Sequence, residues 1–200
     1  RVHIAGIAER SISLGDLARL ANPMRGAVTP GTEPGLEATS YFGPASGATA
    51  CGVHAMIVEV DRATMDVRVG RYVVVHDCGT VINPLILVGQ IHGGVAQGIG
   101  NAFFEKLEWT EDGQLLNASL ADYLLPTALD VPRMELHHTE TRSPLNPLGV
   151  KGAGEAGAIP TGALYAQAIE DALDLPGRGV EILEIPLSPC RLWELARAGD

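Results

Sequence analysis

Apolar and polar residues alternate along residues 54–61, HAMIVEVD, and again along residues 65–77, MDVRVGRYVVVHD, with a short RAT connection between them. Period-two alternation on both sides of a short link predicts a β-hairpin with one covered face. The period then changes. From Pro84 to about Leu107, Ile91, Val95, Ile99, Phe103 and Leu107 recur every fourth residue, which predicts a helix with a single buried stripe. Residues 158–173, AIPTGALYAQAIEDAL, predict another helix with Pro160 near its first turn, and Ser188-Pro189 reads as a cap and N1 proline opening a last one. A short helix capped by Ser13 is expected in residues 11–21.

Strands are expected at RVHIAGIAER (1–10), LEATSYF (36–42), RMELHHTE (133–140) and VEILEIPL (180–187), and a tight Asp112-Gly113 turn within EWTEDGQLL (108–116). Residues 22–52 are rich in Gly, Pro, Ser and Thr and show no sustained period. So long a connection suggests a wrap over a partner surface. The mixed order of elements predicts an α+β fold. The opening residues read like a strand entered from upstream, so the chain is expected to be a piece of a longer one.

Composition narrows the function classes. Of 200 residues, 46% are hydrophobic and 19% charged, which excludes disorder as the default. The net charge of −10, with no basic cluster, argues against nucleic acid as a partner. No apolar run reaches the length of a membrane span and no export signal opens the chain, so a cytoplasmic location is expected. Cys51, Cys78 and Cys190 lie far apart, without metal-ligand spacing, and are expected to be reduced and mostly buried.

The chemistry-bearing residues leave alternatives open. In GVKGAGEAGAIP (149–160), Glu155 stands among four glycines, with Lys151 as the only other charge. Flanking glycines allow a backbone ribbon to approach a planar ligand, and a carboxylate there can serve as a general base. Equally, Glu155 can be the first-turn acid of the following helix. Lys151 can pair with Glu155, lowering its pKa, or with a ligand phosphate. Gly89, Gly93, Gly94, Gly98 and Gly100 each cost up to about 1 kcal/mol in a helix, so either close backbone packing or a close ligand must account for them. His76 and His92 are placed to touch a ligand or to sit in core or surface. His137 and His138 point to opposite faces and make a paired metal site unlike the pattern. Asp77 and Asn83 bracket a turn, where such side chains ordinarily bond local backbone.

Four stretches in order, RYVVVHDCGTVINP (71–84), GQIHGGVAQGIGNAFFE (89–105), DYLLPTALDVP (122–132) and SPLNPLGVKGAGEAGAIP (143–160), resemble the molybdenum-binding large subunit of the xanthine dehydrogenase family of molybdenum hydroxylases. Within it the look is nearest to aerobic carbon monoxide dehydrogenase large subunits. The resemblance covers nearly the whole chain. It implies that residues 1–200 are the C-terminal part of the molybdopterin-binding domain, as a fragment or a split subunit.

The resemblance also implies roles. Glu155, the acid of the GxGE loop, becomes the general base beside molybdenum. Gln90 and Gln97 become hydrogen-bond donors to the pterin or the metal's ligands, and Gly94 and Gly98 give the pterin close approach. Asp77, Asn83, Lys151, Gly152 and Gly154 become contacts to the cofactor. The implied cofactor is molybdopterin cytosine dinucleotide with molybdenum. The implied partners are the N-terminal part of the large subunit, an iron–sulfur small subunit carrying 2Fe-2S clusters, an FAD-binding medium subunit and a small-molecule substrate. One departure counts against carbon monoxide: the family's acid is followed there by Ser-Pro, and here by Ala156 and Gly157. An N-heterocycle or aldehyde hydroxylation is then the expectation, with carbon monoxide oxidation or a non-catalytic assembly segment as alternatives.

Overall fold

The computed structural model describes residues 1–25, 28 and 30–198. It divides into two units, Arg1–Gly43 and Pro44–Asp200. In the first, the opening residues form a two-stranded antiparallel hairpin rather than one strand, β1 (Val2–Ile4) and β2 (Ile7–Ile12). Gly6, at φ +83°, makes the reversal. Helix α1 (Leu14–Leu20) starts where expected, with Ser13 Oγ accepting from the Asp16 N–H at 3.0 Å. Residues 36–42 form no strand. Between Gly35 and Gly43 they find no ladder partner, and a β-prone segment without one stays irregular.

The second unit is built on a three-stranded sheet. Strands β3 (Cys51–Val60) and β4 (Val67–Asp77) form the expected antiparallel hairpin, and β5 (Met134–Thr139) pairs parallel to β4, in the order β3-β4-β5. A parallel neighbour requires a crossover. It is supplied by α2 (Pro84–Ile99) and the residues that follow it. Within the hairpin, Ile57 faces Arg71 but Val58 faces Val69, leaving Gly70 as the extra residue of a β-bulge. The bulge changes the phase of β4. Val67 and Val69 point inward before it, whereas Tyr72, Val74 and His76 are the buried residues after it.

The expected buried stripe of α2 is observed: Ile91, Val95 and Ile99 are at most 2% exposed, each burial being worth roughly 1.5–3 kcal/mol. They join Tyr72, Val74 and Tyr165 in one core. The α-helix ends earlier than expected, at Ile99, and continues as a single wide turn over Gly100–Phe104. Helix α3 (Thr161–Leu173) packs on β3, and its Ile169 and Leu173 meet Leu187, Leu192 and Leu195 in a second core. Leu192 and Leu195 belong to α4 (Pro189–Arg197), capped by Ser188 as expected.

Two further expectations fail. Residues 180–187 form no strand: Pro186 has no N–H to give, the Ile182 N–H is taken by the Glu170 carboxylate, and the Leu187 N–H by the Ala102 carbonyl. The cysteines are free, but only Cys78 is buried; Cys51 begins β3 and Cys190 lies in the first turn of α4, both exposed. No helix among the described residues is long and apolar enough to cross a membrane. Helices with a mixed sheet make this an α+β fold.

Candidate functional site

The glycine-flanked turn that carries Glu155 is fastened along its length. The Lys151 N–H donates to the Cys78 carbonyl at 2.7 Å, and the Gly152 N–H to the Ala48 carbonyl at 2.9 Å. Gln90 Nε2, from α2, donates to the Gly154 carbonyl at 2.9 Å. The Glu155 carbonyl accepts from the Ala158 and Ile159 N–H groups, and the Gly157 carbonyl from Thr161 Oγ1 at 2.6 Å. The turn is rigid from the backbone, while the Glu155 side chain is exposed. It does not cap α3. That helix begins at Thr161, its N-cap Pro160 carries no side-chain bond, and Glu155 stands outside the first turn.

Glu155 borders two cavities. One, of about 200 Å³, is a polar groove lined by Gly89, Gln90, Gly93, Gly94, Gln97 and Gly154. The other, of about 420 Å³, runs between residues 48–52 and the Glu155 turn and reaches His54 and His76. A carboxylate on the rim of both can meet a group entering from either. Gln97 and Gln90 bring amide donors and acceptors to the groove.

The helix glycines divide between the two explanations open to them. A Cβ on Gly94 would lie 2.9 Å from Gly157 Cα, and one on Gly157 would overlap the Ile91 carbonyl oxygen and lie 2.7 Å from Val95 N. Gly94 and Gly157 are therefore a backbone-to-backbone contact. A Cβ on Gly98 would lie 2.5 Å from Thr161 Cβ, so the Thr161 side chain packs directly on that glycine. Packing thus accounts for Gly98 and for one side of Gly94, which also lines the groove. Gly89 and Gly93 have nothing within 4 Å where a Cβ would stand, and both line the groove. The empty backbone face belongs to them.

Asp77, Asn83 and Lys151 are engaged within the protein. Lys151 Nζ lies 3.2 Å from Asp77 Oδ1, with both side chains largely buried, and the same oxygen accepts from the Gly79 and Thr141 N–H groups. The Thr141 hydroxyl first, then the Gly79 N–H, the Thr141 N–H and Lys151, hold the Asp77 carboxyl well below the usual carboxylate range. This clasp ties the end of β4 to the start of the Glu155 turn. It also resolves the choice left to Lys151, whose partner is not Glu155. Asn83 is the N-cap of α2, its Oδ1 accepting from the Ile86 N–H. Gly152 faces the larger cavity and Gly154 both.

A polar chain absent from the sequence-based expectations lies beneath the turn. His54 Nδ1 is 3.0 Å from the Tyr72 hydroxyl, which is 3.2 Å from Thr161 Oγ1, the donor to Gly157. Tyr72 and Thr161 are fully buried. The signal in the sequence is a histidine on the covered face of β3, where Met56, Val58 and Val60 are apolar. Burial lowers the His54 pKa; a hydrogen bond with the Ala156 main chain raises it, and His76 lowers it.

His76, one of the two histidines singled out beforehand, is 2% exposed, and neither ring nitrogen has a partner. Burial, then the neighbouring His138 ring, lowers its pKa, and Asp77 opposes them. His92 is exposed and lines neither cavity. Among the described residues, no group of three or more His, Cys, Asp or Glu side chains can hold a metal ion.

A family model described as a molybdopterin cofactor-binding domain matches residues 1–132. The chain is 41% identical over 167 residues to a carbon monoxide dehydrogenase large chain of Hydrogenophaga pseudoflava, covering 82% of this chain and 20% of that one. It is 40% identical over 186 residues to the nicotine 6-hydroxylase large subunit of Paenarthrobacter nicotinovorans, covering 93% of this chain and 22% of that one. Among solved structures, quinoline 2-oxidoreductase from Pseudomonas putida 86 superposes with a TM-score of 0.84 at 39% identity, over 98% of this chain and 25% of that chain. The chain therefore spans about a fifth to a quarter of the length of these relatives.

Proposed function

Since this chain belongs to the molybdopterin cofactor-binding family shared by molybdenum-dependent oxidoreductases, we propose that it forms the C-terminal part of the molybdopterin-binding domain of a molybdenum hydroxylase large subunit, with Glu155 as general base. The observation that carries this reading is the position of Glu155: a carboxylate on a turn pinned at both ends, on the shared rim of a donor-lined groove and a larger cleft. A base must first be in reach of its proton, and a rigid turn supplies that placement.

The residues present fit a planar, polar cofactor. Gly89 and Gly93 leave bare backbone along the groove, and Gln90 and Gln97 offer amide groups beside it. These four would hold the pterin, with Gly154 between them and Glu155. Gly152, Lys151, Asp77 and Asn83 support the wall through the contacts described above, rather than by reaching into the groove. When bound, the molybdenum–pterin group supplies the redox chemistry of the hydroxylation. The protein's part is to orient it and to take a proton at the Glu155 carboxylate. The cofactor is molybdopterin cytosine dinucleotide, and 2Fe-2S clusters and FAD reside on an iron–sulfur small subunit and an FAD-binding medium subunit. The rest of the large subunit completes the substrate pocket.

An aromatic N-heterocycle is the substrate class we assign, because a nicotine hydroxylase and a quinoline oxidoreductase are both about 40% identical to the chain. Carbon monoxide is the second reading, supported by the similarly near carbon monoxide dehydrogenase and opposed by Ala156-Gly157 after the acid. The test is to assemble this chain with the remainder of its large subunit and its partner subunits, and to measure molybdenum, released nucleotide and turnover. Stoichiometric molybdenum with cytidine monophosphate, and a Glu155→Gln variant that keeps both but turns over at least about a thousandfold more slowly, is the expected result. Full turnover by Glu155→Gln refutes the base assignment, and a folded assembly without metal or nucleotide refutes the cofactor.

A further inference from the structure

Glu155 has no side-chain partner of its own to set its direction. Lys151 turns to Asp77, and among the described residues none pairs with the Glu155 carboxylate. Gly152 and Gly154 precede it and Gly157 follows, so the local backbone is conformationally free unless something holds it. What holds its C-terminal side is buried and polar. His54 Nδ1 lies 3.0 Å from the Tyr72 hydroxyl; Tyr72 meets Thr161; and Thr161 Oγ1 donates to the Gly157 carbonyl. Gly157, two residues after Glu155, is thus gripped by the end of one chain of hydrogen bonds.

The choice of residue types is informative. Tyr72 and Thr161 are both 0% exposed, and phenylalanine and valine would fill nearly the same space without polar groups to satisfy. A fully connected buried network adds rigidity and a unique arrangement, which an apolar pair does not. Tyr72 faces this way only because the bulge at Gly70 has changed the phase of β4. Thr161 is the first residue of α3, and Gly98 makes room for it, since a Cβ there would sit 2.5 Å from that of Thr161. Strand, helix and turn are each shaped to bring the chain together.

We propose that His54, Tyr72 and Thr161 are positioning residues, which fix the direction of the Glu155 carboxylate by pinning the backbone at Gly157. The inference rests on Glu155 being the base, and its test separates the two claims. In the assembled, cofactor-loaded enzyme, Thr161→Val and Tyr72→Phe keep volume and remove one link each, while Thr161→Ser keeps the hydroxyl. Hydrogen exchange of the backbone over residues 152–160 reads the pinning without reference to activity. It should rise in Thr161→Val and Tyr72→Phe and stay at the wild-type level in Thr161→Ser. Turnover per bound molybdenum should fall about tenfold to a hundredfold with KM little changed, the loss expected of a misplaced group, and recover in Thr161→Ser.

Unchanged exchange in Thr161→Val overturns the proposal, whatever Glu155 does. Raised exchange with unchanged turnover also overturns it, if Glu155→Gln is inactive. If Glu155→Gln is active, the base assignment fails instead, and the exchange result alone decides whether the chain pins the turn.

Discussion

Lys151 places its ammonium 3.2 Å from Oδ1 of Asp77, joining the last residue of β4 to the residue that opens the Glu155 turn. Both side chains are largely shielded, at 14% and 6% exposure, so removing either partner leaves the other buried and uncompensated. Asp77→Asn should therefore lower stability at neutral pH. Because the folded-state pKa of Asp77 is depressed, its stabilising contribution is fully present above the ordinary carboxylate value of about 4 and is lost as pH falls through the lower folded value. Denaturation of wild type and Asp77→Asn should show a constant gap from pH 7 to about 5 that narrows only in stronger acid. A gap that widens on acidification would contradict the clasp.

The packed glycine of the Glu155 turn and an open glycine of α2 should respond in opposite ways. Gly157→Ala drives a methyl group into the Ile91 carbonyl and the Val95 amide, and should cost about 1–3 kcal/mol in unfolding experiments. Gly89→Ala meets nothing within 4 Å and should gain up to about 1 kcal/mol of helix stability. If the bare face of Gly89 receives the pterin, the same variant should lose bound molybdenum and nucleotide while becoming more stable.

Asn83 can be assigned by a three-way comparison. As the N-cap of α2, it should cost about 1 kcal/mol when replaced by alanine and almost nothing when replaced by serine. Cofactor content should be unchanged in Asn83→Ser. Loss of nucleotide in that variant, with stability intact, would make Asn83 a cofactor contact after all.

His54 and His76 both have lowered pKa values, principally from burial. A histidine that resists protonation when folded stabilises the fold fully above its ordinary value near 6.5, and loses that contribution as pH falls toward the depressed one. The thermal midpoint of the assembled protein should decline between pH 7.5 and pH 5.5. In His76→Leu, which removes the ring with two unpartnered nitrogens and the neighbour of His138, the decline should be shallower. An equally steep decline would remove His76 from the account.

What could be read beforehand was whatever depends on near neighbours in sequence. The spacing of Ile91, Val95 and Ile99 announces one face of a helix, and Ser13 and Ser188 announce caps, because those interactions span three or four residues. Lys151 and Asp77 are 74 residues apart, and no local pattern joins them. Gly89 and Gly94 sit on one helix with the same chemistry and both line the groove; only the arrival of Gly157 against Gly94 adds a packing role there. Residues 180–187 look like a strand by composition, yet a strand exists only with a partner, and α3 and the wide turn took their amides instead. The role proposed for Glu155 rests on resemblance in four ordered motifs, since a lone acid among glycines is ambiguous on physical grounds.

Gly70 divides β4 into two separately addressed halves. Toward the hairpin link, the inward side chains are Val67 and Val69; past it they are Tyr72, Val74 and His76, although Val73, Val74 and Val75 are the same amino acid. Pairing this one glycine as an ordinary ladder residue, without the bulge, would leave every hydrophobic residue of the strand in place and keep its composition strand-like. It would nevertheless trade the two sides of the sheet beyond that point, sending Arg71 into the interior and the Tyr72 hydroxyl and the His76 ring to solvent. A single-residue frame setting in a strand thus decides whether the ground beneath Glu155 is polar at all.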